Sequence, residues 1–482
     1  MTRMNRRRFL EETILSATAV AAAGAAPRAL AGEQPSTSPN EKLNVAVIGV
    51  RGRGGDHARF FASRPDCQIT YICDADRDIG AGVTQKFAQD GRKPKFVEDM
   101  RRIFDDESVD IVSIATPNHW HSLAAIWAMQ AGKDVYVEKP ISHNVSEGRR
   151  VAQVARKYGR ICQGGTQYRS TGANRAAAQF IREGKLGTVK VAHCYMYRGR
   201  NPIGPAGKYD PPPSVDYNLW AGPAPMAPIT RKSFHYDWHW FWDFGNGEIG
   251  NNSVHAVDTM RMVLNLQGLG RGVLCYGGRV KFNDAAETAN TQVVIHDFDA
   301  ITVVQEIRNL KTKPPRFSGM CIVTGTQGYL ALGGGTSTVF DLDGQQVQKL
   351  EGPSDDHFAN FLTAVRSRKP EDLNAEIIEG HQSAALCHLG NISYRLGRAA
   401  SPLEIRERLA TLKANENVVE TFEAIRTHLA ENDVDIEQER LTLGPWLEID
   451  SERETFVNNP QADALLTRDY RKPFVVPGER EI

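Results

Sequence analysis

Leu43-Asn44-Val45-Ala46-Val47-Ile48-Gly49-Val50-Arg51-Gly52-Arg53-Gly54-Gly55 decides the fold. Its first six residues read as a buried strand, and a helix is expected from about Asp56. Strand, glycine turn and helix is the setting in which a dinucleotide is held. The glycines let the backbone approach a pyrophosphate, and the helix N-terminus favours its charge. Gly49 and Gly54 fit the first and third glycines of that motif, but Arg51 stands at the second. Either Gly52 takes over in a shifted register or Arg51 itself contacts phosphate.

The next strand, Ile69-Thr70-Tyr71-Ile72-Cys73, ends in Asp74. An acidic residue about 25 positions after the first glycine is placed to bond the adenosine ribose hydroxyls. That favours NAD over NADP, although Arg77 nearby could accommodate a 2′-phosphate. The competing reading is that Asp74 or Asp76 merely caps a helix. The alternation then continues. A strand over 109–115 runs into Thr116-Pro117-Asn118-His119-Trp120-His121 and a helix to about Gln130. The strand Asp134-Val135-Tyr136-Val137 ends in Glu138-Lys139-Pro140, followed by a helix over 145–158 and a strand over 160–164. Repeated βα units imply right-handed crossovers and a doubly wound parallel sheet. Ligands sit beyond the carboxyl ends of such strands. Thr116, Pro117, Asn118, His121, Glu138 and Lys139 are therefore expected to flank the nicotinamide end of a bound cofactor. The bland alternative for Glu138 and Lys139 is a surface ion pair of little energetic weight.

Upstream, residues 1–31 read as an export signal of the twin-arginine type. Asn5-Arg6-Arg7-Arg8-Phe9-Leu10 is basic, an Ala-rich run follows, and Ala29-Leu30-Ala31 is a small-x-small cleavage site. The run is too weakly apolar for a membrane anchor. Residues 32–41 are a linker. A periplasmic or extracellular destination through the twin-arginine export machinery follows, and that route carries folded proteins already loaded with a cofactor. The whole chain has 58 basic and 58 acidic residues, so nothing attracts nucleic acid or an anionic membrane. Seven cysteines without a CxxC pair, most of them in strand-like apolar runs, read as small buried hydrophobes. Neither a disulfide framework nor a metal site is expected.

With these motifs and Gly247-Glu248-Ile249-Gly250-Asn251-Asn252-Ser253-Val254-His255, the chain resembles the Gfo/Idh/MocA oxidoreductases. The likeness is strongest to the exported, twin-arginine-bearing branch of glucose-fructose oxidoreductase type. Tyr470-Arg471-Lys472-Pro473-Phe474-Val475-Val476-Pro477 also looks like that branch. The resemblance implies an α/β protein: a Rossmann domain (42–166), then an α/β domain with a large open sheet (167–400). It implies tightly held NAD or NADP, sugar or polyol substrates, and homo-oligomers formed through the second sheet.

In the second domain a helix is expected over 173–183 and strands over 189–197, 289–298, 301–307 and 321–332. Strands without intervening helices suggest a mainly antiparallel sheet with one face covered. Between Arg198 and Phe244 lies a loop region rich in proline and aromatics. Its segment Phe234-His235-Tyr236-Asp237-Trp238-His239-Trp240-Phe241-Trp242-Asp243-Phe244 suits either stacking on sugar rings or packing against the sheet or a subunit neighbour. A helix from Asn251 places Asn251, His255 and Asp258 on one face. The resemblance implies an Asp and a His near the substrate at positions 251 and 255. Asn251 cannot act as a base, so Asp258 is expected to orient His255. Residues 401–432 read as a charged, solvated helical extension and 441–482 as an irregular arm.

These readings converge on a dehydrogenase of a secondary sugar or glycoside hydroxyl. Lys139 is the expected base and His255 the alternative base or relay; Tyr168, Arg169, His239 and His121 are candidates for orienting substrate or nicotinamide ribose. An exported enzyme meets little free NAD, so the cofactor is expected to stay bound and be recycled by a second sugar. Two rivals stand beside this reading. One is a glycosidase working by transient oxidation and elimination; the other is a non-catalytic sugar-binding protein.

Overall fold

In the computed structural model the residues described are 41–313 and 319–482; the expected signal and the linker up to residue 40 lie outside them. Strands β1 (Leu43–Ile48), β2 (Cys67–Cys73), β3 (Lys95–Val97), β4 (Ile111–Ile114), β5 (Asp134–Val137) and β6 (Cys162–Gly164) form a parallel sheet in the order β3-β2-β1-β4-β5-β6. Helices α1 (Arg53–Ser63), α2 (Arg77–Gln89), α3 (Asn118–Gln130) and α4 (Val145–Lys157) cross between the strands. α1 and α2 bury Ala58, Phe61 and Phe87 on one face, while α3 and α4 bury Leu123, Ile126 and Val151 on the other. Covering both faces is why β4 and β5 are buried throughout and mostly apolar, Ser113 and Asp134 being the polar members. The strand order reverses at β1 and β4, and the crevice that opens there is where a doubly wound sheet holds its ligand.

The second sheet has twelve strands. Ten run in the order β14-β13-β12-β11-β7-β10-β9-β8-β16-β15, with β17 and β18 paired off β8. They are β7 (Val189–Tyr197), β8 (Gly272–Gly278), β9 (Thr291–Phe298), β10 (Ile301–Arg308), β11 (Cys321–Gly325), β12 (Gly328–Leu332), β13 (Ser337–Phe340), β14 (Gln346–Leu350), β15 (Arg398–Ala400), β16 (Leu441–Leu443), β17 (Leu447–Asp450) and β18 (Thr455–Phe456). Among the described residues only the β7–β10 pair is parallel, so the sheet is mainly antiparallel. Its inner face packs Ala192, Cys194 and Val303 against α5 (Gly172–Arg182), α7 (Val254–Leu264) and α9 (Ile377–Arg395). All seven cysteines are buried and unpaired. Among the described residues no helix is long and apolar enough to cross a membrane.

One expectation about the C-terminal region fails. The stretch after Pro402 is not a solvated extension: α10 (Pro402–Ala410) and α11 (Val418–Ala430) cover the outer face of β8, β9 and β10. Val418, Phe422, Ile425 and Leu429 recur at helical spacing and are buried against Leu274, Tyr276 and Val293. Burying each such side chain stabilises the fold by about 1.5–3 kcal/mol. The abundance of charge on the outward faces concealed this stripe. The segment 441–482, expected as an irregular arm, has little regular structure and packs along its own chain. Part of it joins the second sheet through β16 and β17, and the rest returns to the first domain of the same chain. There Phe474, 1 % exposed, packs on Trp120 and Trp127, and Tyr470 donates its hydroxyl to Glu147 at 3.2 Å.

Candidate active site

A single cavity of about 490 Å³ runs from the glycine turn, past the ends of β2, β4 and β5, to the start of α7. At its nucleotide end two glycines answer to steric demands. Gly49 has φ +81°, and a Cβ there would lie 2.8 Å from the Ala115 carbonyl. A Cβ on Gly54 would sit 1.8 Å from the Gly49 oxygen. Both positions therefore require glycine to bring α1 close to the strands. At Gly52 a Cβ would meet nothing within 4 Å, so the protein itself does not demand glycine there. Gly52 and Arg51 both face the cavity, and both routes to a phosphate stay open.

Asp74 accepts the backbone N–H of Val50 at 2.9 Å and of Asp76 at 3.0 Å, and it lines the cavity. Burial pushes it up to about 6 despite those bonds. The capping role falls to Asp76, which accepts from Asp78 and Ile79 at the start of α2. Asp74 is left available to a ligand. Arg77 lies outside the cavity wall, beside Asp78 at 3.8 Å. A dinucleotide fits these residues: two glycines that a Cβ would block, a carboxylate at the strand end, and a Thr116 hydroxyl buried without a partner among the described residues.

Pro117, Asn118, His121 and Glu138, expected to touch the cofactor, line the cavity and also brace it. His121 lies between the carbonyls of Pro140 at 2.6 Å and Thr116 at 2.7 Å, tying the end of β5 to the loop after β4. Asn118 donates to Asn246 at 3.0 Å, which links α3 to the second domain; Pro117 caps α3. Glu138 reaches the cavity wall, but its carboxylate serves the protein. It accepts from Arg53 at 2.9 Å and pairs with His57 at 3.1 Å. Burial alone would raise its pKa; His57, Arg53 and Lys139 hold it well below the usual carboxylate range.

At the far end Lys139 donates to the Asn251 carbonyl at 2.6 Å and reaches its side-chain oxygen at 3.5 Å. Burial lowers the Lys139 pKa, against the opposing pull of Glu138 and Glu248. His255 lines the cavity, with Nδ1 buried and unpartnered among the described residues. Burial, aided by Lys139, pulls it down to about 3.

The expected Asp258–His255 pairing is absent. Asp258 is fully buried and is held by Arg169 at 2.8 Å and Ser383 at 2.8 Å. Arg169 also bonds Glu379 at 3.1 Å. Neither Asp258 nor Arg169 lines the cavity, so both leave the set of substrate contacts. The cause is the competing partners. His255 and Asp258 sit three residues apart on the regular helix α7, but Arg169 and Ser383 hold the Asp258 carboxylate in the core. Asn251, on the π-turn over Ile249–Ser253 that precedes α7, lines the cavity with His255. Tyr168 is also absent from the wall. Its ring packs on His255 at 5.1 Å and supports that residue from behind.

The aromatic segment divides its labour. Phe234, Phe241 and Phe244 join Trp220 around the guanidinium of Arg231, while His235, Tyr236, Trp238 and His239 face the cavity. Part of the 198–244 region is fastened over the nucleotide end. Arg77 N–H donates to Ser214 at 2.9 Å, Asp216 N–H to Ala75 at 2.9 Å, and His235 meets Asp76 at 2.9 Å. Leu219 and Trp220 of α6 (Tyr217–Ala221) thereby line the cavity, as do Arg53 and Gln167. Sequence reading missed these four. Trp220 and Leu219 carry no local signal, since only the fold brings the loop over β2.

Residues 43–166 match the NAD-binding Rossmann fold of an oxidoreductase family, and residues 193–429 match that family's C-terminal α/β domain. Levoglucosan dehydrogenase of Pseudarthrobacter phenanthrenivorans is 26% identical over 232 residues, 46% of this chain and 52% of that protein. A glycosyl hydrolase family 109 protein of Shewanella pealeana is 27% identical over 181 residues, 33% of this chain and 39% of that protein. The chain thus spans about half or less of the length of these curated relatives. Among solved structures, the WlbA dehydrogenase of Bordetella pertussis in complex with NADH and UDP-GlcNAcA superposes with a TM-score of 0.55. The two are 18% identical, over 73% of this chain and 97% of that one. The fold, the glycine cradle and both domain matches agree: this chain belongs to the Gfo/Idh/MocA family of oxidoreductases.

Proposed function

We propose that this protein oxidises or reduces a secondary hydroxyl of a sugar or glycoside and keeps its NAD or NADP bound between turnovers. One observation carries the reading: a single cavity joins the glycine cradle and Asp74 at one end to Lys139, Asn251, His239 and His255 at the other. Gly49, Gly54 and Asp74 would hold the pyrophosphate and ribose, with Arg51 or Gly52 completing the phosphate site and Thr116 offering its free hydroxyl. Asp74 at the ribose position favours NAD. When bound, the nicotinamide supplies hydride acceptance or donation at the carbinol carbon. Lys139 takes or returns the hydroxyl proton at Nζ, its lowered pKa bringing the neutral amine within reach. Asn251 holds that ammonium in place, and neutral His255 contacts the substrate beside it. The roof over the nucleotide end excludes water and supports a cofactor that does not leave.

The first test is to purify the folded protein without added cofactor, denature it, and identify any released nucleotide. Near-stoichiometric NAD or NADP is expected. No nucleotide, and none taken up when both are supplied, would overturn the proposal and leave a sugar-binding protein.

The second reading is a glycosidase that oxidises transiently, favoured by the similarity to proteins named for glycosyl hydrolase family 109. Release of aglycone without net NADH would select it. We also propose that the chain is exported through the twin-arginine route to the periplasm or beyond and works as a homo-oligomer. Arg6, Arg7 and the Ala29-Leu30-Ala31 site support export, and fractionation of an Arg6→Lys/Arg7→Lys variant tests it.

A further inference from the structure

His239 belongs to the aromatic segment, not to either family motif, and its hydrogen bonding fixes its chemistry. Nδ1 lies 2.6 Å from the carbonyl oxygen of Tyr236. A carbonyl only accepts, so Nδ1 must carry the ring hydrogen. In a neutral imidazole Nε2 is then a bare lone pair. Among the described residues Nε2 has no partner, yet it is not sealed from solvent, and the ring lines the cavity. The ring cannot rotate freely: it stacks on Trp238 with centroids 3.7 Å apart and planes inclined by 19°. Burial, with Lys139 and Arg200 nearby, pulls His239 down to about 3, so protonation does not cancel the lone pair at neutral pH.

At the same end of the cavity Lys139 offers the opposite polarity. Lys139 is a donor, and its contacts with Asn251 occupy part of its capacity. A substrate placed between them meets donors on one side and an acceptor on the other.

We propose that His239 is a specificity-determining residue: its bare Nε2 accepts a hydrogen from one substrate hydroxyl, so the cavity selects a neutral polyol presenting an O–H group at that point. The assignment rests on the sugar-oxidoreductase reading above. It differs in kind from the role of Lys139, because His239 moves no proton.

Two measurements on the holoenzyme decide it. The first is the tautomer of His239 by nitrogen-15 NMR, with His239→Phe identifying the signal. A ring protonated at Nδ1 and bare at Nε2, unchanged between about pH 5 and pH 8, is expected; hydrogen on Nε2 overturns the assignment. The second uses D-glucose, methyl β-D-glucoside and myo-inositol as probes of binding and cofactor reduction. His239→Phe keeps the stacked ring but removes the lone pair. It should lower kcat/KM for the accepted probe about tenfold, mostly through KM. His239→Gln should restore part of the loss, and both variants should hold wild-type amounts of nucleotide. A His239→Phe enzyme with unchanged KM overturns the assignment while leaving the sugar reading intact. A holoenzyme that takes up none of the three probes overturns the sugar reading, and this assignment with it.

Discussion

The two ends of the cavity are built from different materials. The nucleotide end is made of backbone: Gly49 and Gly54 are required because a single Cβ would strike another main-chain atom. The substrate end is made of side chains delivered from separate places. Lys139 comes from the end of β5, Asn251 from a π-turn, His255 from α7, and His239 from a loop over 100 residues from β4 and β5. A backbone site tolerates almost no change and announces itself locally. A side-chain site is assembled by the fold, and its members can be exchanged one at a time.

The largest effect should separate the two ends cleanly. Lys139→Ala should lower turnover by about 10²- to 10⁴-fold, the range for losing a positioned acid–base group. Bound nucleotide should persist. Because burial lowers the Lys139 pKa, the neutral amine becomes more abundant as pH rises, and oxidation should accelerate with pH until that group is titrated. Single-turnover reduction of the bound cofactor, followed across pH, measures this. A Lys139→Ala protein with full turnover removes the residue from the chemistry.

Next comes the pair that sequence reading placed at the substrate and the structure places behind it. Arg169 and Asp258 are 6 % and 0 % exposed in their side chains. Orphaning a buried charge costs about 3–5 kcal/mol, and without Asp258 the buried Arg169 keeps only Glu379, so the loss falls below that range. Asp258→Ala should therefore lower the unfolding midpoint markedly. The surviving folded enzyme should keep a near-normal KM. A large KM change without loss of stability would return Asp258 to the substrate site.

This pair also shows where legibility ended. Strand-by-strand alternation, the turn at Gly49 and the acid at Asp74 are consequences of local rules, so the first domain could be read directly. So could the mainly antiparallel second sheet. The separation of Asp258 from His255 could not, because Arg169 and Ser383, which hold the Asp258 carboxylate, come from distant parts of the chain that helical spacing does not reveal. The stripe of α11 was hidden for a different reason. Its apolar positions were correctly spaced, but the charged neighbours dominated the composition of the segment. Nothing local could place Trp220 on the cavity wall, since Ala75, just after β2, and Asp216 meet only through a tertiary hydrogen bond.

At the nucleotide end, Asp74 provides a smaller, pH-dependent effect. Its pKa is raised to about 6 by burial, so its carboxylate form is depleted as pH falls through that value. Ribose hydroxyls donate best to the carboxylate. Affinity for NAD should be flat above about pH 7 and fall on acidification. Asp74→Asn should bind more weakly at pH 7.5, by about tenfold for a lost charge-assisted bond, and lose the pH dependence. Calorimetric titration of nucleotide-stripped protein at several pH values checks both. An unchanged slope in the variant would move the titrating group elsewhere.

The smallest effect concerns how the roof is fastened. Arg471, near the C-terminus, donates to the Asn218 carbonyl at 2.7 Å, its side-chain oxygen at 2.6 Å and the Gly222 carbonyl at 3.1 Å. These bonds bracket α6, whose Leu219 and Trp220 line the cavity. Trp120 grips the same turn from below, donating its indole N–H to the carbonyls of Leu219 and Trp220 at 3.0 Å each. Removing Arg471 leaves the indole grip in place, so the loss is partial. At the solvent-facing end of the turn each bond contributes modestly, about 0.5–1.5 kcal/mol. Arg471→Ala should therefore speed NADH release about three- to tenfold, followed by the fluorescence of the departing nucleotide well below the unfolding midpoint. An unchanged release rate would assign the roof to Trp120 and the loop contacts with β2 alone. The C-terminal segment would then act only through Phe474 and the stability of the first domain.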